Sequence, residues 1–398
     1  MSSAVPDHAT HADTVEKIGD LAASAGIRRV HVLAWRDLDD DEAGGSEVHI
    51  HEVARRWAEA GIEVTMRTSH ATGKPVETTR DGYRVIRRAG RYAVFPRAAI
   101  AEAFRLTGPR DVLVEIWNGM PFLSPVWCRG PRVILLHHVH AEMWHMTLGQ
   151  RLGQLGAVFE SKVAPPLYRR SAVATLSESS KVELIDDLGF DPDRVTVVHP
   201  GIDPRFTPGG RKADHPLVMA VGRLVPVKRY EMLVRAAHHA RATIGDLRLE
   251  IVGEGYERPA VEALIAELGA GDWVTLRGWI SEEDKIDLYR RAWVVASASA
   301  REGWGMTLTE AAACGTPAVA TRIAGHADAV QDGSSGVLAD GDPAALGVAL
   351  ASVLGDSDER ARLTRGALDW AAELTWNNTA TELMRVVSAE VNRQRSNR

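Results

Sequence analysis

Short apolar, β-branched runs alternate along this chain with stretches whose apolar positions recur every three to four residues. Arg28–Trp35, Ile62–Met66, Asp111–Ile116, Arg132–Leu136, Ser171–Leu176 and Val195–Val198 read as buried strands, and Glu47–Ala60 between the first two has the helical period. A short helix over Asp13–Ala23, a long helical stretch over Leu148–Arg169 and a final helix from Thr375 to about Arg393 complete that pattern. From His199 to Gly209 the chain is rich in Pro and Gly and has no period, which marks a linker. A second strand series follows: Leu217–Val221, Leu247–Val252, Trp273–Leu276, Trp293–Ser297, Ala318–Thr321 and Gly336–Ala339. Strand–helix alternation implies parallel sheets covered by helices. The expectation is an α/β chain of two Rossmann-like domains, 1–200 and 201–375, with 376–398 as a closing helix.

Composition narrows the class. A chain of 398 residues, 45% hydrophobic and 25% charged, is globular and too long for one ordinary core. A net charge of −6 argues against a general nucleic-acid binder. Cys128 and Cys314 are the only cysteines, so neither a disulfide framework nor a Cys-based zinc site is implied. No run approaches the ~18 apolar residues of a membrane-spanning helix. The first 25 residues carry Asp7, Asp13, Glu16 and Asp20, unlike a signal peptide. A cytoplasmic protein is expected, at most peripheral to the inner face of a membrane.

Chemistry gathers after the strand Trp293–Ser297, in Glu302-Gly303-Trp304-Gly305-Met306-Thr307-Leu308-Thr309-Glu310. The glycines allow a sharp turn close to a ligand, and a helix then runs until Gly315 and Pro317. Two carboxylates thus flank a helix N-terminus whose unpaired N–H groups attract an anion. Hydroxyls for each carboxylate and phosphate for the N–H groups describe a nucleotide sugar; the plain alternative is a helix that merely exposes two acids. After Leu217–Val221, Arg223 and Lys228 stand five apart in a loop entering a helix and could hold a diphosphate from two sides. Gly253-Glu254-Gly255 and Arg277-Gly278-Trp279-Ile280 also lie at strand carboxyl ends and read simply as turns.

The first half offers weaker signals. Gly44-Gly45, before the helix from Glu47, suits close approach to phosphate or sugar but is also an ordinary turn. Asp37, Asp39 and Asp41 tempt a metal reading; acids crowded in a loop are usually solvated, so we expect no metal. Arg84, Arg87, Arg88, Arg91, Arg97, Arg105 and Arg110 face a single acid, Glu102, between residues 83 and 110. That is a solvated face or a dock for an anionic acceptor or membrane surface. His137, His138, His140 and His145 crowd the end of Arg132–Leu136, without the i, i+4 spacing of a helical zinc pair. Ser177 follows a strand as a helix N-cap.

Taken together, Glu302 to Glu310 with the following Gly315-Thr316-Pro317, Arg223 with Lys228, and Gly44-Gly45 resemble the retaining glycosyltransferases of family 4 over nearly the whole chain. The resemblance implies the GT-B fold: two Rossmann-like domains facing across a cleft, with a C-terminal helix crossing back. It implies transfer of a hexosyl unit from a GDP- or UDP-sugar to an acceptor hydroxyl, without cofactor or metal. By analogy, Glu302 contacts the donor sugar, Glu310 the ribose, the backbone near Trp279 and Ile280 the base, and Arg223 and Lys228 the diphosphate. The Gly303–Leu308 loop and Gly44-Gly45 line the donor. His140, by its place in His-Val-His-Ala-Glu, matches the histidine beside the anomeric carbon, with His137 and His138 in reserve, while Ser177 faces the cleft. Arg229 stands where the family has glycine. Acceptors of such enzymes include lipids, cyclitols, antibiotics and polysaccharides. A nucleotide-sugar 2-epimerase and a non-catalytic sugar-nucleotide binder share the architecture; a phosphorylase would need a pyridoxal-binding lysine motif that is not seen.

Overall fold

The computed structural model describes residues 10–139, 153–154 and 156–397. It divides into two compact units, residues 1–201 with 376–398, and 202–375.

Unit 1 holds an eight-stranded sheet of β1 (Arg29–Leu33), β2 (Glu63–Thr68), β3 (Glu77–Arg80), β4 (Tyr83–Arg87), β5 (Val112–Asn118), β6 (Arg132–His138), β7 (Ala172–Thr175) and β8 (Val195–Val197). Their spatial order is β3-β4-β2-β1-β5-β6-β7-β8. Among the described strands of this sheet, β3 and β4 alone pair antiparallel with each other. That hairpin was not anticipated, although Asp81-Gly82 supplies its turn, with φ of +46° and +84° as a tight two-residue hairpin requires. Of the helical stretch expected over Leu148–Arg169, the described residues 153–154 and 156–163 are helical, the last five as a π-helix, Phe159–Val163; the correction is a bend at Ala164 that sets off a separate short helix, Pro165–Tyr168. The successive prolines Pro165 and Pro166 have no N–H to continue a ladder.

The helix Trp376–Ser396 belongs to unit 1. It packs on His11–Ser24, on Gly45–Glu59 and on β6. Trp57, fully buried, donates its indole N–H to the Ala380 carbonyl at 3.0 Å. Thr379 Oγ1 donates to the His199 carbonyl at 2.8 Å, and Arg194 pairs with Glu390.

Unit 2 is a six-stranded sheet of β9 (Leu217–Val221), β10 (Arg248–Val252), β11 (Val274–Gly278), β12 (Val294–Ser297), β13 (Ala318–Thr321) and β14 (Gly336–Ala339), in the order β11-β10-β9-β12-β13-β14. All its pairings are parallel. Val218, Ile251, Val294 and Val319 pack with Leu233, Leu346 and Leu350 in its core. The chain runs outward from β9 through β10 to β11, then returns to lay β12 on the other side of β9. The loops leaving β9 and β12 therefore lie at the topological switch point of the sheet, on the carboxyl edge where open α/β sheets bind ligands.

Candidate functional site

Both loops at that switch point carry the residues singled out from the sequence. The β9 loop passes through a 3-10 turn, Pro226–Lys228, and enters the helix Tyr230–Arg241. The β12 loop runs to Gly305 and the helix Met306–Ala313. They are joined directly: the Ala300 amide donates to the Val227 carbonyl at 2.8 Å. Arg229, left-handed at φ +48°, donates from Nε to the Ala298 carbonyl at 2.8 Å and from NH2 to the Ser299 carbonyl at 3.2 Å. Where the resemblance implied glycine for that backbone, this chain places a side chain that clips the two loops together.

Lys228 Nζ lies 2.5 Å from Glu302 Oε1, and Ser299 Oγ donates to the same oxygen at 2.7 Å. Lys228 and Glu302 are 24% and 19% exposed. Burial pushes the Glu302 carboxyl up, but the Lys228 ammonium and the Ser299 hydroxyl outweigh it and hold the group below its ordinary value. Glu302 Oε2 has no hydrogen bond among the described residues and is left for a ligand.

Gly305 caps the next helix at φ +152°, a conformation that suits glycine, and offers no side chain to the helix end. No acid stands in the first turn. Among the described residues the Met306 and Thr307 amides have no acceptor, so this end is open to an anion. The turn is held from behind by Gly325, where a Cβ would come within 2.4 Å of the Glu302 carbonyl oxygen. Trp304 and Leu308, 3% and 2% exposed, put their side chains in the core, so what they can offer a ligand is backbone.

One turn further, Glu310 Oε2 accepts from the Tyr289 hydroxyl at 3.0 Å and faces Lys285 Nζ at 3.4 Å. Burial raises its carboxyl above the ordinary value against the pull of Lys285. Lys285 also pairs with Glu282 at 2.9 Å. Arg223 is exposed, with no ion pair among the described residues. Trp279, 72% exposed, and half-buried Ile280 follow β11.

Sequence reasoning missed His326. It is 1% exposed in the helix Ala324–Ala329, with Nε2 at 3.2 Å from Ser297 Oγ and Nδ1 at 2.9 Å from the Thr321 carbonyl. Burial lowers its basicity, opposed by Glu302, so a neutral imidazole sits behind the carboxylate. The strand–turn–helix step after Thr321 was its only signal.

In unit 1, the Gly44 amide is engaged by Glu47 Oε2 at 2.8 Å, so the Gly44-Gly45 turn is tied to its own helix. Asn118 Nδ2, at the end of β5, donates to Ser46 Oγ at 2.8 Å. His137 is 4% exposed, its ring edge-on to that of His49 at 5.1 Å between centroids. Burial lowers His49 to about 3. Ser177, fully buried, caps its helix by accepting from the Ser180 amide at 3.2 Å. The backbone of His138 ends β6, and His140 lies outside the described residues.

The acid-rich loop is not a solvated surface throughout. Asp37 is fully buried and takes Arg87 at 3.1 Å and Arg80 at 3.2 Å; Asp39 takes the same arginines at 2.7 and 2.6 Å. Burial pushes the Asp37 carboxyl up, but the Asp39 amide and the two guanidinium groups outweigh it and keep it low. Among the described residues no group of three or more His, Cys, Asp or Glu is arranged to hold a metal ion.

Residues 43–206 match the family described as Glycosyltransferase Family 4, and residues 204–370 match Glycosyl transferases group 1. A protein of Thermobispora bispora named D-inositol 3-phosphate glycosyltransferase is 31% identical over 92% of this chain and 94% of its own length. One of the same name from Salinispora tropica is 32% identical over 92% of this chain and 85% of its own. Among solved structures, sucrose-phosphate synthase from Thermosynechococcus elongatus superposes with a TM-score of 0.76 at 20% identity, covering 93% of this chain and 99% of that one. WaaG, described as a glycosyltransferase involved in lipopolysaccharide biosynthesis, gives 0.71 at 18%, covering 90% and 99%. The GT-B fold is common to them.

Proposed function

The chain belongs to Glycosyltransferase Family 4, and on that premise we propose that it moves a hexosyl unit from a UDP- or GDP-sugar to an acceptor hydroxyl with retention of configuration. The observation that supports this most is the meeting of Lys228, Glu302 and an uncapped helix N-terminus at the switch point of unit 2. The leaving diphosphate gains charge as the glycosidic bond breaks. Arg223, Lys228 and the Met306 and Thr307 amides are preorganised donors for it, needing no metal. Lys228 has three N–H groups, so it can keep Glu302 in place while turning another to phosphate. Glu302 presents its free Oε2 to the sugar hydroxyls. Glu310 is pinned through Oε2, which leaves Oε1 for the ribose. In this reading the acceptor enters on the face from which phosphate departs, and a leaving-phosphate oxygen takes its proton. His140 is assigned to the sugar by the resemblance alone.

The relatives' name makes D-inositol 3-phosphate the first acceptor to try. The test is incubation of the protein with UDP- or GDP-hexose and that cyclitol, with anomeric configuration followed by NMR. An α-glycoside from an α-donor supports the reading. A β-product overturns retention, and isomerised donor without glycoside overturns transfer.

A further inference from the structure

Five of the seven arginines between residues 84 and 110 are occupied. Arg84 and Arg88 pair with Glu77, Arg91 with Glu42, Arg110 with Glu102, and Arg87 with Asp37 and Asp39. Arg97 and Arg105 are exposed and have no ion pair among the described residues. They share their surface with unusual company. The helix Val94–Ala103 buries Val94, Phe95, Ala98 and Ala101 and turns Arg97 and Ile100 outward. Tyr92 before it is 55% exposed, Ile100 56%, and Phe104 and Leu106 after it 72% and 74%. The only acid between residues 84 and 110, Glu102, is fully buried beneath His31 and Arg110, so no acid of this stretch reaches its surface.

Beside Arg105 lies a cavity of about 210 Å³, lined also by Arg110, Asp111, Val391 and Arg395. Asp111 is already engaged by the amides of Arg28 and Arg29 at 2.9 and 2.8 Å. Arg110 is spent on Glu102 at 2.8 Å, while Arg395 is exposed with no ion pair among the described residues. The cavity therefore keeps net positive charge, although the chain as a whole is at −6.

We propose that this surface docks on an anionic lipid bilayer. Phe104 and Leu106 enter the boundary between headgroups and acyl chains, Arg97 meets phosphates at the rim, and a headgroup phosphate occupies the Arg105–Arg395 cavity. Protruding aromatic and aliphatic groups flanked by cations, without an acid among them, suit an interface that is apolar below and negative above. Among the described residues no helix is long and apolar enough to cross a membrane, so this contact is peripheral.

The test is flotation of the full chain with phosphatidylcholine vesicles, with and without phosphatidylglycerol. Wild type should float only with the anionic vesicles, and high salt should release it. Each basic residue near such a surface contributes about fivefold in partition (~1 kcal/mol), so R97E/R105E should lower binding at least ~25-fold. F104S/L106S should lower it as well. All four positions are solvent-facing, and unchanged melting temperatures would confirm that the variants fold. Equal binding to neutral vesicles, no binding by wild type, or unchanged binding by R97E/R105E overturns the proposal. So does a dimer in sedimentation velocity that F104S/L106S dissolves, since the face would then join two copies of this chain.

Discussion

Replacing Lys228 by Met separates the role of its charge in the fold from its role with donor. The variant keeps the aliphatic stem and leaves Glu302, 19% exposed, with only the Ser299 hydroxyl at 2.7 Å on the oxygen that Lys228 served. Removing one partner of a fully buried pair costs ~3–5 kcal/mol, because the other charge stays desolvated. With about a fifth of each side chain in contact with water, ~1–3 kcal/mol is expected here. For a unit of 174 residues (375 − 202 + 1) this lowers the melting temperature by ~2–12 °C. The sign with pH is distinctive. In wild type the folded Glu302 titrates below its ordinary value, so the pair's stabilisation is present at neutral pH and lost only as pH falls through that lowered value. In Lys228→Met the Ser299 hydroxyl remains but the ammonium is gone, so burial drives the Glu302 carboxyl to titrate higher than in wild type. The deficit is full at pH 7.5 and shrinks toward pH 5 as the carboxyl takes a proton. Glu302→Gln in the Lys228→Met background should restore ~1–2 kcal/mol, as a coupled pair requires. Ligand-free calorimetric melting of the four proteins of the cycle, at both pH values, is the assay. Additive losses, or a deficit independent of pH, would refute the argument that this ion pair holds the loops.

Glu310→Gln should weaken UDP or GDP binding by ~10–100-fold through loss of a charged acceptor, whereas Glu302→Gln should leave free-nucleotide affinity nearly unchanged and lower kcat; calorimetric titration exchanges the two roles if the opposite is found. Arg223→Ala should cut turnover by ~10²–10³-fold without moving the melting temperature, since Arg223 is exposed. Wild-type turnover would remove it from the diphosphate site. Activity should persist in excess EDTA, because Asp37 and Asp39 are already satisfied by Arg80 and Arg87. An absolute need for Mn²⁺ would overturn that.

How much of this was legible beforehand depended on whether the signal was local. The strands β9 and β12 announce themselves as apolar runs, and Glu302 to Glu310 keep their meaning because loop and helix are contiguous in sequence. Arg229 could be noted only as a departure from glycine; that it clips two loops required knowing that residues 298 and 299 lie beside it. Ser299 and His326 were invisible for the same reason, since each acts on Glu302 through tertiary packing. The acid and arginine runs misled because charge counting assumes solvent. Asp37 and Arg87 lie 50 residues apart in sequence yet neutralise each other in the interior, and among the described residues Arg97 and Arg105 alone of the seven have no ion pair. The β3–β4 hairpin was overlooked although Asp81-Gly82 marks it, because the density of arginine drew the reading toward surface.

The position of the helix Trp376–Ser396 bears on how the chain emerges from the ribosome. Unit 2 begins and ends side by side, with the Ile202 amide bonded to the Leu374 carbonyl at 3.0 Å, so its fold is continuous and self-contained. Unit 1 is not. The helices His11–Ser24 and Gly45–Glu59 are synthesised early, but the element that covers them, and the carbonyl that receives the Trp57 indole, arrive only after all of unit 2. At ~5–20 residues per second, 174 intervening residues impose a wait of roughly 10–35 s, with an apolar helix face uncovered throughout. The half of the protein made first is completed last, and that open interval is when a holdase chaperone would meet the nascent chain.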